Sequence, residues 1–204
     1  MRHRTTYHFF RRLFVTIAKG KLRSVRGLDN LPKGQPFILA ANHCSWLDPV
    51  YLTAAIDQWS KHLPLLFISA TKKHRWTQAV IPIDKKDKGR CLQIAQEYLN
   101  LGLLVGIFPY GDHMASSTKA RTGVARLSRW ANAPVIPASI QNVTPARAWK
   151  AVFMFLFQKR SIDISFGSPI EFAPVPQITA ETLAEDMEQI TKAMRQLNGN
   201  EYGI

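Results

Sequence analysis

The sequence predicts a single layered α/β domain, with a mixed, mainly parallel sheet flanked by helices. Three observations carry this reading. Short apolar runs at residues 37–41 (FILAA), 64–69 (PLLFIS), 103–108 (LLVGIF), 135–140 (VIPASI) and 162–166 (IDISF) have the length and composition of strands. Between them lie stretches whose apolar residues recur at helical spacing, the alternation expected of βα units. The length, 204 residues with 46% hydrophobic and 20% charged, suits one globular domain with a full core.

Taken in order, residues 5–18 read as an amphipathic helix, with Tyr7, Phe10, Phe14 and Ile17 on one face and Arg4, Arg11, Arg12 and Lys19 flanking it. Residues 27–36 (GLDNLPKGQP) are rich in helix and strand breakers. They separate a basic amphipathic segment, 1–26, from a main domain, 27–204. After strand 37–41 comes a helix over 49–59, with Asp48 placed to cap it and Pro49 at its first position. Strand 64–69 and a short strand at 80–83 follow. Residues 90–100 form a helix with Cys91, Ile94, Ala95 and Tyr98 on one face, closed near Gly102. Strand 103–108 leads to a helix over 118–131 that turns Ala120, Val124, Leu127 and Ala131 inward. Strands 135–140 and 162–166 precede a closing helix over 179–197. Its stripe is Leu183, Met187, Ile190, Met194 and Leu197, and acidic Glu181 lies in its first turn, where the helix dipole favours it.

A formal net charge of +13 and a pI near 10.1 imply an anionic partner: nucleic acid, an anionic membrane, or a phosphorylated or nucleotide-thioester substrate. No nucleic acid is expected. The chain carries no nucleic-acid motif, and its aromatic residues cluster in apolar runs instead of interleaving with a basic groove. The two cysteines, Cys44 and Cys91, supply neither a disulfide framework nor a zinc site, so no metal is expected and a reducing compartment is the default. No apolar stretch approaches the ~18 residues of a membrane span. The basic N-terminus lacks the apolar core and cleavage site of a secretory signal.

The segment AANHCSWLDPV, residues 40–50, is the most informative. His43 follows a strand at its C-terminal end, where ligand sites of open α/β sheets collect. Asp48 opens a helix, where the N-terminal dipole favours an anion. If the turn folds back, the carboxylate meets one imidazole nitrogen and leaves the other facing a pocket as a general base. Spacing alone leaves a plainer reading open, in which Asp48 only caps the helix and His43 only binds a loop carbonyl. Cys44 reads as a small buried thiol and Ser45 as a bystander. His3, His8, His62 and His74 form no ligand cluster, and Lys72, Lys73, His74 and Arg75 form a basic turn, solvated or facing donor phosphates.

NHCSWLDP resembles the N-H-x-S-x-x-D motif of the glycerolipid acyltransferases, the family that includes the 1-acylglycerol-3-phosphate acyltransferases. GLDNLPKGQPFILAANH resembles the family's lead-in. AVIPIDKKDKGR resembles the second block, with Lys85 where an arginine is common. GIFPYGDHMASS resembles the third block, F-P-E-G-T-R-S. APVIPASI resembles the fourth, and ISFGSPI the strand near the family's C-terminus. Five blocks in register across roughly residues 25–172 are far more specific than any one.

The resemblance implies an enzyme in which His43 deprotonates an acceptor hydroxyl and Asp48 orients the histidine. The acyl group would pass directly from acyl-CoA or an acyl carrier protein thioester to a lysolipid or related acceptor. That thioester is a co-substrate, and no cofactor is implied. The acceptor would lie against Tyr110, Gly111, Asp112, His113 and Lys85. Here the chain departs from the pattern: Tyr110, Asp112 and His113 stand where the family has Glu, Thr and Arg. Loss of that bidentate arginine points away from a phosphate-bearing acceptor and toward another alcohol, an amine-bearing lipid or a sugar alcohol, unless Lys119 or Arg121 replaces the cation. The alternative function is a non-catalytic membrane- or lipid-binding protein on the same fold.

Two segments suit a membrane surface. The helix at 5–18 sets Phe10 and Phe14 against arginines, as interfacial helices do. Residues 146–160 place Trp149, Phe153 and Phe155 in an apolar run bounded by Arg147, Lys150, Lys159 and Arg160. Each also suits packing on the body with its charges solvated. The expected partners are an anionic membrane surface, a lipid or alcohol acceptor and an acyl thioester donor. The expected location is peripheral, on the cytoplasmic face of a membrane.

Overall fold

The computed structural model describes residues 2–61, 64–69, 79–84, 86–87, 89–111, 120–144, 153, 155–157 and 159–199, with the backbone alone for 2–11. Helix α1 (Arg2–Lys21) leads into β1 (Leu22–Arg26). Then come β2 (Ile38–Ala41), α2 (Asp48–Trp59), β3 (Leu65–Ser69), β4 (Ala79–Pro82), α3 (Arg90–Asn100) and β5 (Leu104–Ile107). The chain continues through α4 (Gly123–Ala131), β6 (Val135–Gln141), β7 (Ile162–Phe166) and α5 (Ala180–Leu197). The seven strands form one sheet in the order β1-β7-β6-β2-β5-β3-β4. Strands β2 to β6 run parallel, β7 is antiparallel to β6, and β1 is parallel to β7. The sheet is therefore mixed and mainly parallel, as the alternation of strands and helices predicts.

Both faces are covered, which is why the inner strands are apolar throughout. Alternate residues of β2 serve opposite cores. Leu39 and Ala41 join Phe67, Leu104, Ile136, Ala138 and Ile164 beneath α1 and α2. Ile38 and Ala40 join Val105, Ile107, Val124, Leu127, Ile190 and Met194 beneath α3, α4 and α5. Every residue of α2 from Asp48 to Ile56 is buried. The sheet lies on one side of it and α1 on the other, with a Lys19–Asp57 ion pair at that contact.

Strand β1 is absent from the sequence reading because LRSVR has no apolar run. It is an edge strand on which only Leu22 is fully buried. Charge seats it. Arg23 forks onto Asp163 of β7, and that carboxylate also accepts from Ser24 Oγ at 2.6 Å and Asn142 Nδ2 at 2.8 Å. Exposed charges also protect a sheet edge from further pairing. Helix α4 begins at Gly123, later than the 118 expected, because the Arg121 N–H donates to Pro109 O at 2.9 Å and holds residues 120–122 along the preceding turn. Residues 118–119 of that expected helix lie outside the described residues. Helix α5 begins where the sequence places it, with Thr179 Oγ1 accepting from the Thr182 N–H at 3.2 Å.

Candidate active site

The site is built at the C-terminal ends of β2 and β5, in the middle of the sheet. Asn42 follows the last residue of β2. Its Nδ2 donates to Ile140 O at 2.8 Å and its Oδ1 accepts from the Ile140 N–H at 2.7 Å. The side chain thus adds a rung to the β2–β6 ladder beyond the Ala41–Ala138 pair. This fixes where the chain leaves the sheet and where His43 starts.

The next three residues fold onto one carboxylate oxygen. Asp48 Oδ2 accepts from the Cys44 N–H at 2.5 Å and the Ser45 N–H at 2.7 Å, and lies 2.9 Å from His43 Nδ1. Asp48 is completely buried, whereas His43 keeps 15% of its side chain exposed. Sequence places Asp48 as a helix cap. In the structure it stands inside the first turn of α2 and reaches back into the loop, and no side-chain bond caps the helix. A carboxylate offers acceptors only, so the ring donates to it through Nδ1. Among the described residues, Asp48 Oδ1 is buried with no hydrogen-bond partner. The residue's polar contacts are concentrated on the histidine side.

The imidazole lies flat on Phe108, with centroids 4.0 Å apart and planes 11° apart. Phe108 in turn stacks on Phe67 at 5.5 Å and 11°. Cys44, beside the histidine, is no thiolate. Burial, then the Asp48 charge, pushes its thiol up to about 11, although Asn42 donates to its sulfur.

The remaining expected residues divide. Tyr110 is half-buried against the core beneath α3, α4 and α5. Gly111 adopts φ +85°, and a Cβ there would stand 3.2 Å from both Cζ and Nη2 of Arg121 and 3.5 Å from Nη1. Three guanidinium atoms at nearly equal range mean that the group lies face-on across the glycine. Lys85, Asp112, His113 and Trp149 lie outside the described residues, as does the side chain of Phe10. Of the expected membrane contacts, Phe155 faces the interior. Phe155 is 0% exposed, because it stacks on Phe14 at 5.7 Å and meets Tyr51 at 5.8 Å, and Phe14 is itself half-buried. The aromatic surface in this region belongs to Phe153 and Phe157, 57% and 72% exposed, with Leu156 and Leu13 also exposed.

Asn42, Phe108, Phe67 and Gly106 are the site residues that the sequence reading passes over. A glycine inside an otherwise apolar strand was the available signal, since it marks a close approach.

A family model described as acyltransferase matches residues 23–141. The chain is 24% identical over 179 residues to the 1-acyl-sn-glycerol-3-phosphate acyltransferase of Bacillus subtilis, a match covering 83% of this chain and 84% of that protein. It is 28% identical over 124 residues to the human 1-acyl-sn-glycerol-3-phosphate acyltransferase alpha, covering 55% of this chain but only 43% of the human protein. The crystal structure of the 1-acyl-sn-glycerophosphate (LPA) acyltransferase PlsC from Thermotoga maritima superimposes with a TM-score of 0.58 at 18% identity, covering 98% of this chain and 80% of that one. That likeness concerns the fold. The family match takes in β1 to β6 and every residue of the His43–Asp48 turn, and by it the chain belongs to the acyltransferase family.

Proposed function

We propose that the protein moves an acyl group from a CoA or carrier-protein thioester to the hydroxyl of a lysolipid, with His43 as general base oriented by Asp48. The observation that carries this is the 2.9 Å His43–Asp48 contact on an oxygen that also accepts two backbone N–H groups. With Nδ1 committed to the carboxylate, Nε2 takes the acceptor's proton. The oxygen attacks the thioester carbon, the C–S bond breaks, and the imidazolium returns its proton to the leaving thiolate. Transfer is direct, with no acyl-enzyme, and the protonated Cys44 thiol supports that reading. Thiol release stimulated by a lysolipid tests the proposal. No release with any donor would favour the non-catalytic lipid binder, and release with no acceptor-dependent product would mark hydrolysis of the thioester instead of transfer.

The acceptor we propose carries a phosphate. The relatives in Bacillus subtilis and human bear names that specify a 1-acyl-sn-glycerol 3-phosphate acceptor. The altered third block argues the other way, since its arginine position is His113. Arg121 answers that objection. Its guanidinium lies on Gly111, three residues past Phe108, and it makes no ion pair among the described residues. A charged hydrogen bond contributes about 1.5–3 kcal/mol. Arg121→Ala is therefore expected to raise KM about tenfold or more for lysophosphatidic acid, and to leave KM for monoacylglycerol unchanged. Equal effects on both acceptors would exclude a phosphate contact.

We place the protein at a membrane surface, on the anionic cytoplasmic leaflet. No helix among the described residues is long and apolar enough to cross a bilayer. Exposed Phe153, Leu156 and Phe157 provide a partially inserting patch, with Lys21, Lys159 and Arg160 close in sequence or contact. Each near-surface cation adds about 1 kcal/mol on anionic lipid. Replacing Phe153 and Phe157 together by serine should weaken sedimentation with phosphatidylserine vesicles about tenfold, from the apolar area returned to water. Added salt should weaken the wild type further. Unchanged sedimentation of the double variant would move the contact elsewhere.

A further inference from the structure

Asp48 holds His43 through one nitrogen at the edge of the ring. The last torsion of a histidine is broad, and a base that rocks misses the hydroxyl it must deprotonate. An aromatic column supports the face of the ring as well. Phe67 of β3 is the cross-strand partner of Gly106 on β5. Its ring lies so closely over that glycine that a Cβ would stand 2.3 Å from Cε1 and 2.5 Å from Cδ1. Any side chain at 106 would displace it. Phe108, two residues on, stacks upon Phe67, and His43 stacks upon Phe108, each pair tilted by the same 11°. Phe67 is 1% exposed, and core packing on this scale admits few alternative ring positions.

We infer that Gly106, Phe67 and Phe108 form a positioning column that sets the orientation of the His43 imidazole, an inference that rests on the reading of His43 as general base. The floor of the column is a backbone glycine at the centre of the sheet, paired with Leu39 of β2 on one side and Phe67 of β3 on the other. The column therefore transmits the rigidity of three central strands to a ring at their C-terminal edge. Phe108 also closes one face of the imidazole, so that the acceptor hydroxyl reaches Nε2 only in the ring plane or from the opposite face. These residues are positioning residues and touch no reacting atom.

The test combines kinetics with the ring-proton NMR shifts of His43. Stacked at 4.0 Å, the imidazole protons lie in the shielding cone of Phe108. The wild type should show them upfield, with the signals assigned by their absence from His43→Ala. Phe108→Leu keeps the apolar volume and removes the flat face. It should lower kcat about 10- to 100-fold, the usual penalty for a base displaced by about an ångström. KM should stay within about twofold, and the upfield shift should vanish. Phe108→Tyr should recover most of the lost kcat together with the shift. Gly106→Ala should reproduce the Phe108→Leu phenotype from beneath, without touching either ring's chemistry. If Phe108→Leu does not fold, Phe67→Leu is judged by the same two readouts. Wild-type kcat with unchanged His43 shifts in Phe108→Leu, or a loss confined to KM, would overturn the inference. So would a Tyr variant as slow as the Leu variant. Inactive His43→Ala beside a fully active Phe108→Leu would discard the column alone. Active His43→Ala would discard the general-base reading and the column with it.

Discussion

His43→Ala is expected to lower kcat for acyl transfer by at least about 10³-fold, within the range of general-base contributions, while the protein stays folded. Among the described residues of the site, the imidazole combines a ring nitrogen not taken by Asp48 with partial exposure, whereas Asp48 is completely buried and the Cys44 thiol is held protonated. Neither neighbour can take over the proton. His43→Ala also removes the top of the aromatic column without disturbing the Phe67–Phe108 pair beneath it, so the melting temperature should move little. Steady-state kinetics beside a thermal melt checks both halves. A loss of activity matched by a large drop in Tm would assign His43 to structure.

Asp48→Asn should also lower kcat strongly, because the amide, with its oxygen in the place of Oδ2, carries no charge to stabilise the imidazolium. Asp48→Ala should in addition destabilise the fold. It leaves the Cys44 and Ser45 N–H groups without their acceptor, and a buried donor left unpaired costs about 1–3 kcal/mol. The contrast separates two roles of one side chain. The Asn variant should melt close to wild type, because its oxygen still accepts from the two backbone groups, whereas the Ala variant should melt several degrees lower. Equal melting with equal activity in both variants would show that the carboxylate does neither job.

The His43–Asp48 arrangement was legible in the sequence because it is local. Donors and acceptor all lie within residues 43–48, and an aspartate opening a helix directly after a strand end leaves the turn few ways to close. The parallel interior was legible for a similar reason, since strands buried on both faces read as unbroken apolar runs. The edge was not. Strand β1 is held by Asp163, about 140 residues away, and nothing within LRSVR advertises that partner. The column was equally hidden, because Gly106, Phe67 and Phe108 meet only after β3 and β5 pair. Residues 153–157 show the limit on burial patterns. The run FMFLF is apolar at every position, so sequence does not say that Phe155 turns inward onto Phe14 while Phe153 and Phe157 face outward. The Arg121 guanidinium likewise reaches Gly111 only because the Arg121 N–H is tied to Pro109 O across eleven intervening residues.

One measurement tests the central claim most directly: mass-spectrometric detection of acylated acceptor beside thiol release, for wild type and His43→Ala, with an acyl-CoA or acyl carrier protein donor and a lysophospholipid. The account predicts one acylated acceptor per thiol released by the wild type, and neither product from the variant above background. Acylated acceptor formed by His43→Ala at the wild-type rate, or thiol released by the wild type with no acylated acceptor, would contradict it.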